Sequence, residues 1–381
     1  MRIGIDYRLA TEMRPRGIGR YIFNLVPQLV KLGKDHEFVL YAHRLQNLGQ
    51  LTEAKNVRVK ILRPGFYPFW EQCLLPLWAC IDQVDLLHCT SSTGPLFLPK
   101  QVGYVVTVHD VSFMMPTIVM PRPRLLYQKM GRLYRTIVVP RVIRRAKCMI
   151  AVSHHTQAEI VHMTGVDPLK AHVVYHGLTL PISRGGAQIS ESELVRSLPA
   201  RYILCIGGDA PHKNVERAIR VFSKIVSCGH NEGYSLVVLG VQQGKRSPFW
   251  EEVINLKLQS SVKFIEFVTD NVALIELYRK ALFVLIPSLN ESFGMPALEA
   301  MSCGVPVVTS RVAAIPEIVG NAALLIDPQS DDSIEQGMRT MLKDKALRER
   351  FVYLGHVRVG CFSWEKAARE TLCIYEKAAK K

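Results

Sequence analysis

The sequence predicts an α/β protein built from two doubly wound parallel-sheet domains, and three observations carry that prediction. Short apolar runs rich in Val, Ile and Leu alternate with segments of helical periodicity, the pattern of parallel sheets covered by helices on both faces. The alternation lapses between Leu180 and Ala200, where Pro, Gly, Ser and Gln replace any core pattern, and then restarts. The length of 381 residues and the apolar fraction of 48% suffice for two ordinary cores. The expected division is 1–182, 183–360 and a closing segment, 361–381, that carries a last helix.

Strand candidates in the first half are Arg2–Asp6, Glu37–Tyr41, Val57–Leu62, Leu86–His88, Tyr104–His109 and Cys148–Val152, with Val173–Gly177 as a last strand and turn. Gly19–Leu32 reads as the first crossover helix, because its apolar residues recur at helical spacing. The second half follows with strands at Tyr202–Ile206, Ser235–Leu239, Val262–Ile265, Leu282–Ile286, Val305–Thr309 and Ala323–Ile326. Helices are expected between them, the first over Asn214–Val226, and a last one runs from Phe362 to Tyr375. Ligands of such sheets bind beyond the carboxyl ends of the strands, so function is sought at strand-to-helix junctions facing a cleft between the domains.

Composition narrows the classes. The longest apolar runs, Ala281–Ile286 and Leu74–Ile81, fall far short of the roughly 18 residues of a spanning helix. The chain opens directly into a strand, so no signal peptide is expected. Nine cysteines without Cys-x-x-Cys spacing point to reduced thiols in a cytosolic protein rather than to zinc. The formal charge of +15 is concentrated: Met1–Leu180 carries 23 Lys/Arg against 11 Asp/Glu, and the remainder 25 against 22. Val111–Ala158 has no acidic residue at all, and its Arg122, Arg124, Lys129, Arg132 and Arg135 are interspersed with Leu125, Leu126, Met130, Leu133 and Ile137. That mixture fits an interfacial helix, basic on one side and apolar on the other, which Pro140 kinks or ends. A core-packed helix with a solvated basic face and a nucleic-acid surface are the competing readings. No nucleic-acid motif accompanies the charge, and attachment to anionic lipid or to a lipid diphosphate is preferred.

The densest junction is Asn290-Glu291-Ser292-Phe293-Gly294-Met295-Pro296-Ala297-Leu298-Glu299, after the buried run Ala281–Ile286 and the breaker Pro287-Ser288. Pro296 suits the first helical position, which puts Glu291 in the loop and Glu299 in the first turn of the helix. Amides near Phe293, Gly294 and Met295 then surround a helix N-terminus, which favours an anion such as a diphosphate. A carboxylate placed there is costly unless it faces sugar hydroxyls. A ligand anionic in the middle and polyhydroxylated at both ends satisfies both demands, and a nucleotide-sugar has that layout. A lone Glu would mean only dipole compensation; the whole strand–loop–helix pattern argues for the ligand.

Cys205–Asn214 is a second junction. Gly207 and Gly208 let the backbone approach a ligand, though a tight turn explains them equally well, and Lys213 stands where the next helix begins. A cation there can neutralise a diphosphate and the charge that grows on a leaving group. Gly17-Ile18-Gly19-Arg20-Tyr21 enters the first helix, where a turn plus cap is the plain alternative. His109, beside Asp110 at the end of an apolar strand, is placed for function, against the alternative of a buried, hydrogen-bonded histidine. Ser153 and His154 are weaker candidates.

The Glu291/Glu299 pair and the continuation Ala300–Val308 resemble the retaining glycosyltransferases of family 4, whose hallmark is two glutamates separated by seven residues. The resemblance covers nearly the whole chain, most specifically Tyr202–Ile326. It implies the GT-B fold, two Rossmann-like domains facing a central cleft, with the last helix returning to the first domain. It implies that Lys213 binds the donor diphosphate and that Gly17 and Gly19 reach toward the diphosphate and donor sugar. By the same resemblance His109 lies near donor sugar and acceptor, with Asp110 orienting the ring or receiving the acceptor, while Glu291 holds sugar hydroxyls and Glu299 the ribose. Many relatives carry an Arg after the glycine or before the lysine; here Gly208 and His212 stand there, so His212 or an Arg elsewhere supplies the second charge.

The implied reaction is transfer of a sugar from a nucleotide diphosphate to a hydroxyl with retained configuration, by front-face departure and attack. Domain closure would exclude water. No Asp-x-Asp occurs, and no metal or other cofactor is expected. The motifs together are most like bacterial mannosyltransferases and rhamnosyltransferases of surface polysaccharides. GDP-mannose is therefore the first-choice donor, ahead of UDP- and dTDP-sugars. The acceptor is expected to be a lipid-linked saccharide or polysaccharide precursor at the inner face of the plasma membrane. The rivals are a same-fold enzyme with a soluble acceptor, such as a sucrose- or trehalose-type synthase or an epimerase, and a non-catalytic basic binding module.

Overall fold

Two parallel sheets organise the chain. The structure, a computed structural model, describes residues 1–12, 17–114, 126–178, 180, 193–227, 233–268 and 270–379. Arg122 and Arg124 lie outside the described residues. One unit comprises Met1–Gly177 with Phe362–Lys381, the other Leu178–Cys361.

In the first unit the strands are β1 (Arg2–Asp6), β2 (Glu37–Ala42), β3 (Val57–Ile61), β4 (Leu86–Cys89), β5 (Gly103–Val108), β6 (Cys148–Ala151) and β7 (Ala171–Val173). They lie in the order β3-β2-β1-β4-β5-β6-β7, every neighbouring pair parallel. The second unit has β8 (Tyr202–Ile206), β9 (Ser235–Leu239), β10 (Val262–Ile265), β11 (Val284–Ile286), β12 (Val307–Ser310) and β13 (Leu324–Ile326), in the order β10-β9-β8-β11-β12-β13 and again all parallel. Each order reverses once, between β1 and β4 and between β8 and β11. Those are the switch points beyond which an open α/β sheet binds its ligands.

The strands are apolar because helices cover both faces. All of β4, β5, β6 and β8 is buried, and each fully buried Val, Leu or Ile contributes about 1.5–3 kcal/mol relative to exposure. Most strand ends differ from expectation by one or two residues, but β7 ends at Val173, where the expected Val173–Gly177 begins, and the last helix runs on to Ala379 rather than Tyr375. The shift at β12 has a plain cause. Pro306 has no N–H to donate to a ladder, so the strand starts at Val307, while the Pro306 carbonyl accepts from Val284 N at 2.9 Å.

Pro140 does not end the basic helix, which runs over Leu126–Arg145 with Pro140 inside it. Val138, Val139, Val142 and Ile143 on either side are buried in the core of the first unit. Their burial outweighs the roughly 3 kcal/mol that an interior proline costs. The expected division into one basic and one apolar side also fails along this helix. Its C-terminal half packs inward, whereas Met130, Leu133 and Ile137 are 64%, 61% and 43% exposed.

The last helix, Trp364–Ala379, packs on the first unit, along the helix Ile18–Leu32. Its buried Trp364, Ala367, Ala368, Thr371, Ile374, Tyr375 and Ala378 recur every three or four residues, one stripe of a helix.

Candidate active site

In the second unit the two junctions read from the sequence stand beyond β8 and β11, which are neighbours at the switch point. After β8 the chain passes Gly207, where a Cβ would come within 2.8 Å of Val215 Cγ2 and 2.9 Å of Val238 Cγ1, so only glycine fits. Gly208 follows, and Lys213 closes a 3-10 turn over Pro211–Lys213. Lys213 therefore does not begin the following helix. That helix spans Val215–Ser227, set off by Asn214 in the left-handed region at φ 58°. Asn tolerates that backbone better than most residues, and its side chain earns the position by bridging loops. Asn214 Nδ2 donates to the carbonyls of Pro287 at 3.1 Å and Pro328 at 2.8 Å, and Leu289 N donates to His212 O at 2.7 Å.

That bridging brings Lys213 to Glu291. Lys213 Nζ donates to Glu291 Oε1 at 2.7 Å, and Ser288 Oγ donates to the same oxygen at 2.8 Å. Both side chains are only partly exposed, at 22% and 13%. Beyond Glu291 the backbone turns at Gly294, φ 92°, where a Cβ would stand 2.5 Å from Ile315 Cδ1. Phe293 is buried and Met295 is partly exposed.

The helix spans Met295–Ser302, so Met295 takes the first position and Pro296 the second. Two expectations shift with it: Pro296 is not the first helical residue, and Glu299 lies in the second turn rather than the first. Glu299 is buried and accepts from the Tyr278 hydroxyl at 3.2 Å. First-turn N–H groups of a helix have no acceptor within it, so the start of this helix carries partial positive charge shortly after Glu291, which holds the Lys213 ammonium.

In the first unit His109 follows β5 directly and is buried. Its N–H accepts no role in the sheet but donates to Ser92 Oγ at 3.0 Å, and its ring Nε2 lies 2.9 Å from Thr90 O. Burial pushes the imidazole down to about 4, only partly offset by the Thr90 carbonyl and Asp110. Asp110 Oδ1 accepts from Ser112 N at 3.2 Å and Ser112 Oγ at 2.7 Å, an Asx turn that opens the next loop, while its charge acts on the ring. Gly17 precedes the first helix at φ 46°, and Gly19 is buried in that helix's first turn. Ser153 caps the helix His154–Thr164 by accepting from Thr156 N.

Residues 15–180 match the family model Glycosyltransferase Family 4, and residues 190–356 match Glycosyl transferases group 1. The chain is a GT-B glycosyltransferase of group 1 and family 4. The glycosyltransferase is 27% identical over 385 residues to O-antigen chain mannosyltransferase B of Escherichia coli, covering 94% of this chain and 96% of that one. It is 25% identical over 393 residues to D-inositol 3-phosphate glycosyltransferase of Kineococcus radiotolerans, covering 95% and 90%. Among solved structures it resembles Anabaena HepE in complex with UDP and glucose, at a TM-score of 0.69 and 18% identity over 98% and 99% of the chains.

Of the basic residues singled out on the glycosyltransferase's helix, two are engaged by its own fold. Arg132 Nε donates to Phe113 O at 2.9 Å, and the Arg135 guanidinium sits 5.2 Å from the Phe113 ring centre. Lys129 is exposed. Near the far end of the helix, Arg145 rims a surface groove of about 390 Å³ lined by Leu77, Cys80, Phe97 and Leu98, in which Leu77 and Phe97 are 53% and 78% exposed. Among the described residues no three His, Cys, Asp or Glu side chains gather as a metal site. Three residues with parts in the site escaped the sequence reading: Ser288, Asn214 as a brace, and Tyr278. Only Asn214 carried a signal, an Asn just ahead of a helix where a left-handed turn is needed.

Proposed function

We propose that this glycosyltransferase moves a mannose from GDP-mannose to a hydroxyl of a lipid-linked saccharide, retaining the anomeric configuration and needing no metal. The observation that carries the reading is the pairing of Lys213 with Glu291 beside the turn Phe293–Met295. It combines a cation and a helix N-terminus for a diphosphate with a carboxylate for sugar hydroxyls. On donor binding Lys213 exchanges Glu291 for the diphosphate, and Glu291 takes hydroxyls of the sugar. Charge growing on the departing nucleotide is then met by a group already in place, the electrostatic contribution that is usually the largest in such reactions. Glu299, held by Tyr278, accepts from the ribose, Gly17 and Gly19 leave room for the donor, and neutral His109 takes a hydroxyl of donor or acceptor. The mannose assignment rests on likeness to the O-antigen mannosyltransferase along nearly the whole chain.

The lipid-linked acceptor is supported by exposed Met130, Leu133 and Ile137 on a helix that also presents Lys129, Arg135, Arg141 and Arg144. Near an anionic membrane each such cation contributes about 1 kcal/mol, and three inserted side chains add an apolar share. No helix among the described residues is long and apolar enough to cross a membrane, so attachment would be peripheral, at the inner face. The second reading, a soluble acceptor, is favoured by the likeness to the D-inositol 3-phosphate enzyme.

A thermal-shift screen against GDP, UDP, dTDP and ADP, with and without magnesium, tests the donor. A metal-independent shift with GDP, lost in Glu299→Ala, is expected. A shift only with UDP or dTDP replaces the sugar, and unchanged GDP affinity in Glu299→Ala removes the ribose assignment. Turnover abolished by EDTA and restored by manganese would count against the metal-free scheme. Cosedimentation with anionic liposomes separates the acceptors, since a soluble-acceptor enzyme stays in the supernatant.

A further inference from the structure

The ring of His109 is held in one orientation by parts of the chain far from it in sequence. Its Nε2 lies 2.9 Å from Thr90 O, and a carbonyl can only accept, so Nε2 carries the hydrogen. The lone pair of the neutral ring is then on Nδ1. Two more rings touch it, and a third backs those two. Tyr21, from the helix Ile18–Leu32, meets it edge-on at 4.8 Å and 80°. His176 lies 5.6 Å from it and 4.8 Å from Tyr21. Trp364, the first residue of the C-terminal helix, stacks on His176 at 5.8 Å and 24° and lies 5.9 Å from Tyr21.

The collar is closely fitted. A Cβ on Gly177 would stand 2.2 Å from Trp364 N and 2.5 Å from its Cγ, so the strand exit and the helix entry touch only because residue 177 is glycine. Farther along the same helix the Tyr375 hydroxyl is 2.6 Å from His88 Nδ1, and His88 Nε2 is 2.8 Å from Thr107 Oγ1. That threonine hydroxyl is also 3.1 Å from the Tyr21 hydroxyl. Trp364 and Tyr375 thus tie one helix to the two rings that touch His109, by a stack on His176 and by a hydrogen-bond chain that ends on the Tyr21 hydroxyl. The Trp364 indole N–H is buried and makes no hydrogen bond among the described residues, so the flat face of the ring is what packs on His176.

We infer that Trp364 and His176 are positioning residues for sugar transfer: they fix the His109 ring so that Nδ1 is presented as an acceptor for a substrate hydroxyl. This rests on the reading of His109 as an active-site residue given above.

The test joins a structural and a kinetic measurement on the full chain. With ¹⁵N-histidine labelling, wild-type His109 is expected as the neutral Nε2–H tautomer at pH 7, and Trp364→Leu should shift or broaden its ring signals while Trp364→Phe leaves them in place. Release of GDP from GDP-mannose should fall on the order of tenfold in kcat for Trp364→Leu, as for a small misplacement of a reacting group. The donor KM should stay within about twofold, and Trp364→Phe should restore kcat. In a His109→Ala background Trp364→Leu should add nothing, since the two residues act as one. Ring signals identical in wild type and Trp364→Leu overturn the inference, as does an equal loss of kcat with and without His109. Wild-type turnover in His109→Ala overturns the reading on which it rests, a distinguishable result. Should Trp364→Leu not fold, His176→Leu removes the same stack with the helix entry intact, and the same outcomes apply.

Discussion

Acidification should loosen the first unit well before its carboxylates titrate. His88, His109 and His176 are buried there together. Burial pushes His88 to about 3, His109 to about 4 and His176 well below the ordinary 6.5, with neighbouring imidazoles adding repulsion for His88 and His176. The sign follows from which state takes up the proton. Below 6.5 the unfolded chain binds protons that the folded chain refuses, so the stabilisation is complete above 6.5 and is lost as pH falls toward the folded values. Because His88 and His109 titrate far below 5.5 in the folded state, the loss between pH 7.5 and 5.5 depends only on the unfolded pKa and is about 1.3 kcal/mol per histidine. His88 and His109 together lose about 2.7 kcal/mol, against a total stability of roughly 5–15 kcal/mol for a domain. Buried Glu71 works the other way, since burial raises it and the folded state takes its proton first. Tryptophan fluorescence is a suitable probe, because Trp70, Trp78 and Trp364 lie in this unit and only Trp250 in the other. A fall of roughly 5–10 °C in the midpoint is expected for a unit of this size. His109→Asn, in which Glu71 is unchanged, should reduce the acid-induced loss by about 1.3 kcal/mol. An equal loss in wild type and variant refutes the reasoning.

Two further outcomes follow from the second unit. Lys213→Met removes the cation that Glu291 holds in reserve; GDP affinity by calorimetry should fall at least tenfold and kcat on the order of a hundredfold. Unchanged GDP affinity would remove Lys213 from the diphosphate. Asn214→Ala deletes two bonds to loop carbonyls and leaves a Cβ residue less tolerant of the left-handed region, for a combined loss of about 2–4 kcal/mol in urea unfolding. Asn214→Gly should recover the backbone share, and equal losses in the two variants would locate the whole effect in the hydrogen bonds.

How much of this was legible in the sequence depended on whether the cause was local. The strands stood out because parallel strands under two helical layers are apolar throughout, as in β5 and β8. Asp110 could have been placed from Asp110-Val111-Ser112 alone, since a Ser two residues after an Asp is a common partner for an Asx turn. Glu299 was misplaced by one residue, enough to move it from the first turn to the second, because Pro fits the first and second helical positions nearly alike, and only the Gly294 turn decides which it takes. The basic helix misled for a different reason. Its apolar residues belong to two populations, one facing the core and one facing out, and a single periodicity cannot separate them.

The partnerships that matter for chemistry had no local signal. Lys213 and Glu291 are 78 residues apart and meet because β8 and β11 are neighbours at a reversal of strand order. Tyr21 and His176 meet His109 and Trp364 backs both, from three separated segments, and only Gly177 hints that a backbone must pass close by. Strand ends are therefore readable as places where a ligand can bind, since their residue types are set by the backbone there. Which side chain holds which is set by sheet order, and that order is a property of the whole fold. A variant at Trp364 is accordingly the sharper probe of this glycosyltransferase than another variant at Glu291, because it tests a relation that no motif contains.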